Sequence, residues 1–360
     1  MIADDELAAA VLVSLPNASA TRLRALLTEY GSAMAVVEAV QARAPEIVDR
    51  FGGDLVDGWR DRVRDLTADV AATMASRGTR ALTSDRPDWP VRSDHPSMPR
   101  LLLAEGVAFE SLFRPRVAVV GTRRPSPHGA ADAREVAESL ARGGICVVSG
   151  LANGIDGAAH RGALDVGGLT IGVTATGLDV VYPASHRGLW HDVRAGGLIV
   201  SEQPFGTPPR REYFPIRNRI IVGMVDAVII VEAAIKGGAM RTAQIALDLG
   251  VAVYALPGSR RNPMAEGCNR LIAEGATPMT DPLDVLAFVS GVNDRAERRP
   301  TLAGLSKTAR AVYRALHGEP ATLDQVVARC GLLVATVAGA TRELERLGRV
   351  RRHGGRLWPM

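Results

Sequence analysis

Four loops in this 360-residue chain hold the residue types that grip an anion. Gly121-Thr122-Arg123-Arg124-Pro125-Ser126 sets a glycine, where backbone can approach a ligand closely, beside arginines that present a forked charge. In Ser149-Gly150-Leu151-Ala152-Asn153-Gly154-Ile155-Asp156, Gly150 and Gly154 bracket Asn153, a pattern for a tight turn whose amides face an oxyanion. Phe214-Pro215-Ile216-Arg217-Asn218-Arg219 places two arginines around a hydrogen-bonding amide. One of the two is expected to bind ligand and the other to pair with Glu202 or Glu232. Phe214 suits either a stacked base or the core. Lys236-Gly237-Gly238 opens a helix, and a helix N-terminus favours negative charge. Arg211 adds a cation just upstream of Phe214. These groups fit a phosphate chain better than a small apolar molecule.

Catalytic patterns are weaker. Asp156 and His160 lie four apart, either as an acid–histidine pair or as braces for the loop and the fold. No nucleophile or third member accompanies them, which favours bracing. The GxGxxG fingerprint is missing, and Ser149-Gly150 stands where a dinucleotide site would place an acid after the second strand. Cys146, Cys268 and Cys330 are far apart and lack metal spacing, so they read as reduced thiols of a cytoplasmic protein. No cofactor and no metal are expected.

The elements that must position these loops follow from the apolar pattern. Runs rich in Val and Ile recur at Val117–Val120, Cys146–Ser149, Thr170–Val173, Leu198–Val200, Ala227–Val231 and Val251–Ala255. Ala-rich helical stretches such as Ala130–Arg142 and Met240–Leu249 lie between most of them. Uniformly apolar strands separated by helices predict an α/β fold, a Rossmann-like, mostly parallel sheet with helices on both faces, over residues 112–290. In such sheets ligands sit beyond the carboxyl ends of the strands, where all four loops fall, with Pro257-Gly258 and Gly267-Cys268-Asn269 completing the rim.

Residues 1–75 have helical spacing and predict a small helical domain. Its first turn, Leu15-Pro16-Asn17-Ala18-Ser19, resembles a degraded helix–hairpin–helix, serving either packing or a residual DNA contact. Residues 76–111, rich in Pro, Asp and Arg, read as a linker packed on the next domain, and 291–302 as a second linker. Residues 303–360 predict a winged helix: helices near Lys307–Leu316, Thr322–Arg329 and Val334–Leu347, with Thr322 as an N-cap, then a hairpin around Gly354-Gly355. Arg342 and Arg346 lie four apart on the third helix, and Arg351, Arg352 and Arg356 fall in the wing. Glu343 and Glu345 share that helix, so both DNA and protein remain open as its partner.

Charge agrees with an anionic partner. Residues 1–110 hold 12 Lys and Arg against 17 Asp and Glu, a net of −5. Residues 303–360 hold 10 against 4, a net of +6. Basic charge gathered at one end points to nucleic acid. The acidic start Met-Ile-Ala-Asp-Asp-Glu argues against a secretory signal, and no run of 18 apolar residues predicts a membrane span.

In this order the loops resemble those of the DNA-processing A (DprA/Smf) family. The resemblance rests on Val120-Gly121-Thr122-Arg123, Ser149 to Asp156 with Ala159-His160, Gly177-Leu178-Asp179 with Tyr182-Pro183, Ser201-Glu202, Phe214 to Ile221, Glu232-Ala233, Pro257-Gly258, and Gly267 to Ile272 with Gly275-Ala276. It implies a homodimeric, non-enzymatic protein that binds and protects single-stranded DNA and helps load the RecA recombinase during natural transformation. It also implies that Arg123, the Gly150–Gly154 loop, Arg217, Asn218 and the Lys236–Gly238 loop grip phosphates, with Phe214 and Arg211 as lesser contacts. Gly121, Thr122, Ser126 and Arg219 belong to the same set of expected phosphate contacts. Two positions depart from the family pattern: Asn153 stands where arginine is usual, and Gly237-Gly238-Ala239 replaces Ser-Gly-Ser/Ala. The alternative is a Rossmann-like nucleotide sensor or hydrolase, but Gln244 stands near where the hydrolase loop carries its glutamate. A duplex-binding regulator would leave the large phosphate-lined domain unexplained.

Overall fold

A computed structural model describes residues 4–297, 306–316, 321–347, 350–353 and 356–359. The chain forms two compact units, Met1–Ser290 and Gly291–Met360.

The first unit begins with helices α1 (Asp5–Ser14), α2 (Ala20–Tyr30), α3 (Ala33–Gln41), α4 (Pro45–Phe51) and α5 (Gly53–Arg77). Asp4, Ser19 and Ser32 cap the first three through their side-chain oxygens. Strands β1 (Arg80–Thr83) and β2 (Leu101–Gly106) follow. Then come β3 (Arg116–Val120), α6 (Pro127–Arg142), β4 (Cys146–Ser149), α7 (Ile155–Asp165), β5 (Thr170–Val173), α8 (Arg187–Gly196), β6 (Leu198–Ser201) and α9 (Tyr213–Gly223). The unit continues with β7 (Ala227–Ile230), α10 (Gly238–Asp248), β8 (Ala252–Ala255), α11 (Glu266–Ala273), β9 (Thr277–Pro278) and the start of α12 (Pro282–Glu297).

All nine strands join one sheet in the order β1-β2-β6-β5-β4-β3-β7-β8-β9. Pairing is parallel from β6 through β9, and antiparallel where β2 meets β6 and β1. Within it β5-β4-β3-β7-β8 is the Rossmann order, reversing direction between β3 and β7. Successive strand residues face opposite sides. Ala118 and Val120 pack with α9, α10 and α11, while Val117 and Val119 pack with α6, α7 and α12. The α/β expectation of a mostly parallel sheet covered on both faces holds.

The structure corrects the reading of residues 76–111. They are not a linker: β1 and β2 form an antiparallel edge of the sheet, and the prolines fall in the loop between them. The run Leu101-Leu102-Leu103 is uniformly buried, as an interior strand demands. Residues 1–75 are no separate body either. Leu12, Val36 and Trp59 share one core with Leu103, Ile199 and Trp190, so helices and sheet bury each other. The turn between α1 and α2 is committed internally. Ala18 and Ser19 donate their amides to Leu15 O and Asn17 O, and Trp59 Nε1 donates to Pro16 O at 2.8 Å. That leaves a packing turn rather than a phosphate-holding hairpin.

The second unit has the expected winged-helix order: α13 (Lys307–Ala315), β10 (Ala321–Thr322), α14 (Leu323–Cys330), α15 (Val334–Arg346), β11 (Val350–His353) and β12 (Arg356–Pro359). Thr322 caps α14 through a reciprocal box with Gln325. Its core gathers Val312, Val326, Val337, Leu344 and Leu357. The second expected linker differs at its start, because α12 runs to Glu297, and residues 298–302 lie outside the described residues. So does Gly354-Gly355.

A buried charge ties the helical layer to the sheet. Glu105 on β2 accepts from Arg77 at 2.6 and 2.9 Å and from Thr79 Oγ1 at 2.7 Å. Removing one partner of such a pair leaves charge without compensation, at a cost of about 3–5 kcal/mol. Glu105→Ala is expected at the low end, about 3 kcal/mol, because Arg77 regains some water. A urea titration followed by circular dichroism and by tryptophan fluorescence checks this. Both signals should shift together, since the helices and the sheet share one core.

Candidate nucleic-acid interface

The cleft lies beyond the carboxyl ends of the strands, at the switch between β3 and β7. Its volume is about 1030 Å³, above what one small ligand needs, and it is bordered by Gly121–Arg124 and by residues within the 211–218 and 233–242 segments. Gly121 permits a close approach. A Cβ there would meet Ile155 Cγ1 at 2.5 Å and Glu232 O at 2.8 Å.

Glu232, the residue after β7's buried run, holds three loops in register. Its carboxylate accepts from Ser126 N at 2.8 Å, Ser126 Oγ at 2.6 Å and Asn262 Nδ2 at 3.0 Å. Its carbonyl accepts from Thr122 N at 2.7 Å. Ser126 is therefore engaged as the N-cap of α6, with Gly129 N donating to its Oγ at 3.0 Å. It does not border the cleft, contrary to its expected role as a phosphate contact.

The glycine loop is held from behind. Gly154 has φ +84°, a left-handed conformation that favours glycine, and it opens α7 against Thr122 O. Gly150 N donates to Asp156 Oδ2 at 3.1 Å. Arg217 is only 4% exposed and donates to Gly150 O at 2.7 Å and to Val173 O. Burial pushes its guanidinium down to about 10, and the nearby Asp156 charge opposes that shift. Burial likewise raises the Asp156 carboxyl, with Arg217 countering. Arg217 borders the cleft floor; Nη1 makes both carbonyl bonds, and Nε donates to Asn218 Oδ1 at 3.3 Å. Asn218 is oriented by donating from Nδ2 to Thr242 Oγ1 at 2.9 Å. Arg219 pairs with Glu202, as expected for one of the two arginines, and does not reach the cleft.

His160 settles the acid–histidine question. Thr170 Oγ1 donates to Val147 O at 2.9 Å, so His160 Nδ1 donates to Thr170 Oγ1 at 2.7 Å. Burial pushes its imidazole down to about 3. Asp156 and His160 are braces with separate partners.

The cleft cations are differently placed. Arg123, Arg124, Arg211, Lys236 and Arg241 are exposed, and none forms an ion pair among the described residues. Elsewhere arginines such as Arg43, Arg50 and Arg134 are paired with acids. Arg123 lies over the Phe214 ring, 5.0 Å from its centroid. Gly237 caps α10 without a side-chain partner, leaving that helix N-terminus open beside Lys236. Of the sequence candidates, Gly121, Thr122, Arg123, Arg211, Phe214, Arg217, Asn218, Lys236, Gly237 and Gly238 meet at this cleft. Gly150 and Asn153 border an adjoining recess. Sequence reasoning missed Arg241, one turn into α10, and Tyr182, whose loop follows β5 at the same sheet edge.

In the second unit Arg342, Arg346, Arg352 and Arg356 are exposed, and Arg352 pairs with Glu345 at 3.2 Å. The side chain of Arg351 lies outside the described residues. Leu333 and Val334 are also exposed at the start of α15.

The fold and the cleft define a Rossmann-like protein whose switch point offers cations and amides to an anionic chain. The family described as DNA recombination-mediator protein A matches residues 80–290, and the DprA winged helix domain matches 296–356. The chain belongs to the DprA/Smf family. It is 38% identical to a putative DNA processing protein DprA of Mycobacterium tuberculosis over 81% of this chain and 80% of that one. It is 35% identical to protein Smf of Synechocystis over 76% and 78%. The X-ray structure of DprA from Streptococcus pneumoniae is similar at TM-score 0.56 and 32% identity, covering 75% of this chain and 97% of that one. A Helicobacter pylori DprA structure, described for its single-stranded DNA binding mode, matches at TM-score 0.52 and 29% identity over 60% and 96%.

Neutral buried His160 gives a pH prediction. A folded value near 3, below the ordinary 6.5, means the unfolded chain binds more protons between those values. Its contribution is complete above about pH 6.5 and is lost as pH falls towards 3, by up to about 1.4 kcal/mol per unit. Asp156 and Glu202, raised by burial, titrate with the opposite sign, so the measurement is a difference. Urea titrations from pH 7 to 4 should show a shallower loss of stability in His160→Gln than in the parent.

Proposed function

We propose that this protein binds single-stranded DNA in the switch-point cleft without catalysing a reaction on it. One observation carries the reading: five exposed cations, none in an ion pair among the described residues, surround a cleft that also offers an open helix N-terminus. The Helicobacter relative, described as binding single-stranded DNA, supports it. Asp156 and His160 are occupied within the fold, and Glu232 is occupied by Ser126 and Asn262, which favours binding over hydrolysis. By resemblance, the protein acts in the cytoplasm as a homodimer that shields incoming single strands and helps load the RecA recombinase.

Phosphate contacts release counterions, so affinity falls with salt, at a slope of about 0.7 per phosphate for single strands. Fluorescence anisotropy of a labelled oligo-dT across a salt series tests this. Arg123→Ala and Lys236→Ala should each weaken binding and each reduce the slope by about 0.7–1. Binding indifferent to salt and to both substitutions would overturn the reading and direct attention to nucleotide hydrolysis.

A further inference from the structure

Beside the cleft lies a smaller recess that phosphate binding does not explain. Its walls include Tyr182, Pro183, Asn153, Thr174 and Gly150, and Arg123 and Phe214 stand between it and the cleft. The recess holds only about 30 Å³, so it admits no more than the edge of a base. Phe214 is already engaged, by the Arg123 guanidinium at 5.0 Å and by the Tyr182 ring at 5.4 Å between centroids. Tyr182 shares that contact but has no cation over it among the described residues, is 36% exposed and borders both cavities. Asn153 is exposed at the rim. Its Oδ1 accepts from Ser185 Oγ at 3.0 Å, which fixes the amide and leaves its NH2 group to donate.

We propose that this recess takes the edge of one nucleobase, with Tyr182 as the stacking surface and the Asn153 amide as the hydrogen-bonding group. The site adds to the strand cleft and rests on that reading. An aromatic ring offers sequence-tolerant stacking, because every base has a π-face. An amide donor fits the ring nitrogens and carbonyl oxygens that bases present on their edges. Phe214 is then a positioning residue, which holds Tyr182 and Arg123 together. The strand is gripped at its phosphates in the cleft and at one base in the recess.

The test compares oligo-dT with a strand of equal length whose residues are abasic, by anisotropy at fixed salt. The parent protein should bind oligo-dT about tenfold more tightly than the abasic strand, the size of one stacked base. Tyr182→Ala should lose about that factor for oligo-dT and weaken the abasic strand much less. Tyr182→Phe should keep it. Asn153→Ala should weaken oligo-dT several-fold and again affect the abasic strand much less. Equal affinity of the parent for both strands would overturn the base site while leaving the phosphate cleft intact, as would equal weakening of both by Tyr182→Ala. Failure of the parent to bind either strand would overturn the cleft reading and this site with it.

Discussion

The site depends on the Glu232 carboxylate. A buried carboxylate is costly unless donors surround it. Here the donors come from two other loops, Ser126 after β3 and Asn262 after β8. The charge is satisfied only when those loops are in place, so its burial and their register are one event. The backbone of the same residue accepts from Thr122, which fixes the turn that carries Arg123. Exposed cations can then stand at the rim without acidic partners, because the loops beneath them are held by other groups.

Arg217 and Asp156 do the same for the glycine loop. Neither is an obvious structural residue by type. Yet Arg217 Nη1 donates to both Gly150 O and Val173 O, and Asp156 accepts from Gly150 N. Charge buried behind a loop fixes its backbone, while charge left exposed before it meets the ligand. This division separates residues that look alike in sequence. Arg217, Arg219 and Arg123 have the same side chain, but the first braces, the second pairs with Glu202, and the third is free to contact an anion.

Much of the fold was legible because a parallel sheet buried on both faces needs continuous apolar strands. Cys146–Ser149 and Thr170–Val173 coincide with β4 and β5 for that reason. A parallel sheet sends the carboxyl ends of its strands to one edge, so the loops were expected together there. The antiparallel edge was missed because prolines around Asp85 and Pro99 masked Leu101–Ala104, a run as apolar as the others. The helical layer looked independent because helical spacing reports a buried face but not its partner, here Leu103 and Ile199. At the site, glycines and arginines were visible by type. Which arginine was buried depended on contacts across more than 40 residues, as between Arg217 and Val173. Ser126 read as a ligand contact although Pro127 after it marks a capped helix start.

The central claim is that the strand lies across the switch-point cleft of the first unit. The most direct measurement is photo-crosslinking of a 4-thiothymidine oligonucleotide to the intact protein, with adducts mapped by mass spectrometry. The structure predicts adducts in residues 121–124, 211–218 and 234–242, lost in competition with unlabelled oligo-dT. Adducts confined to the winged-helix unit, or to the turn between α1 and α2, would contradict it.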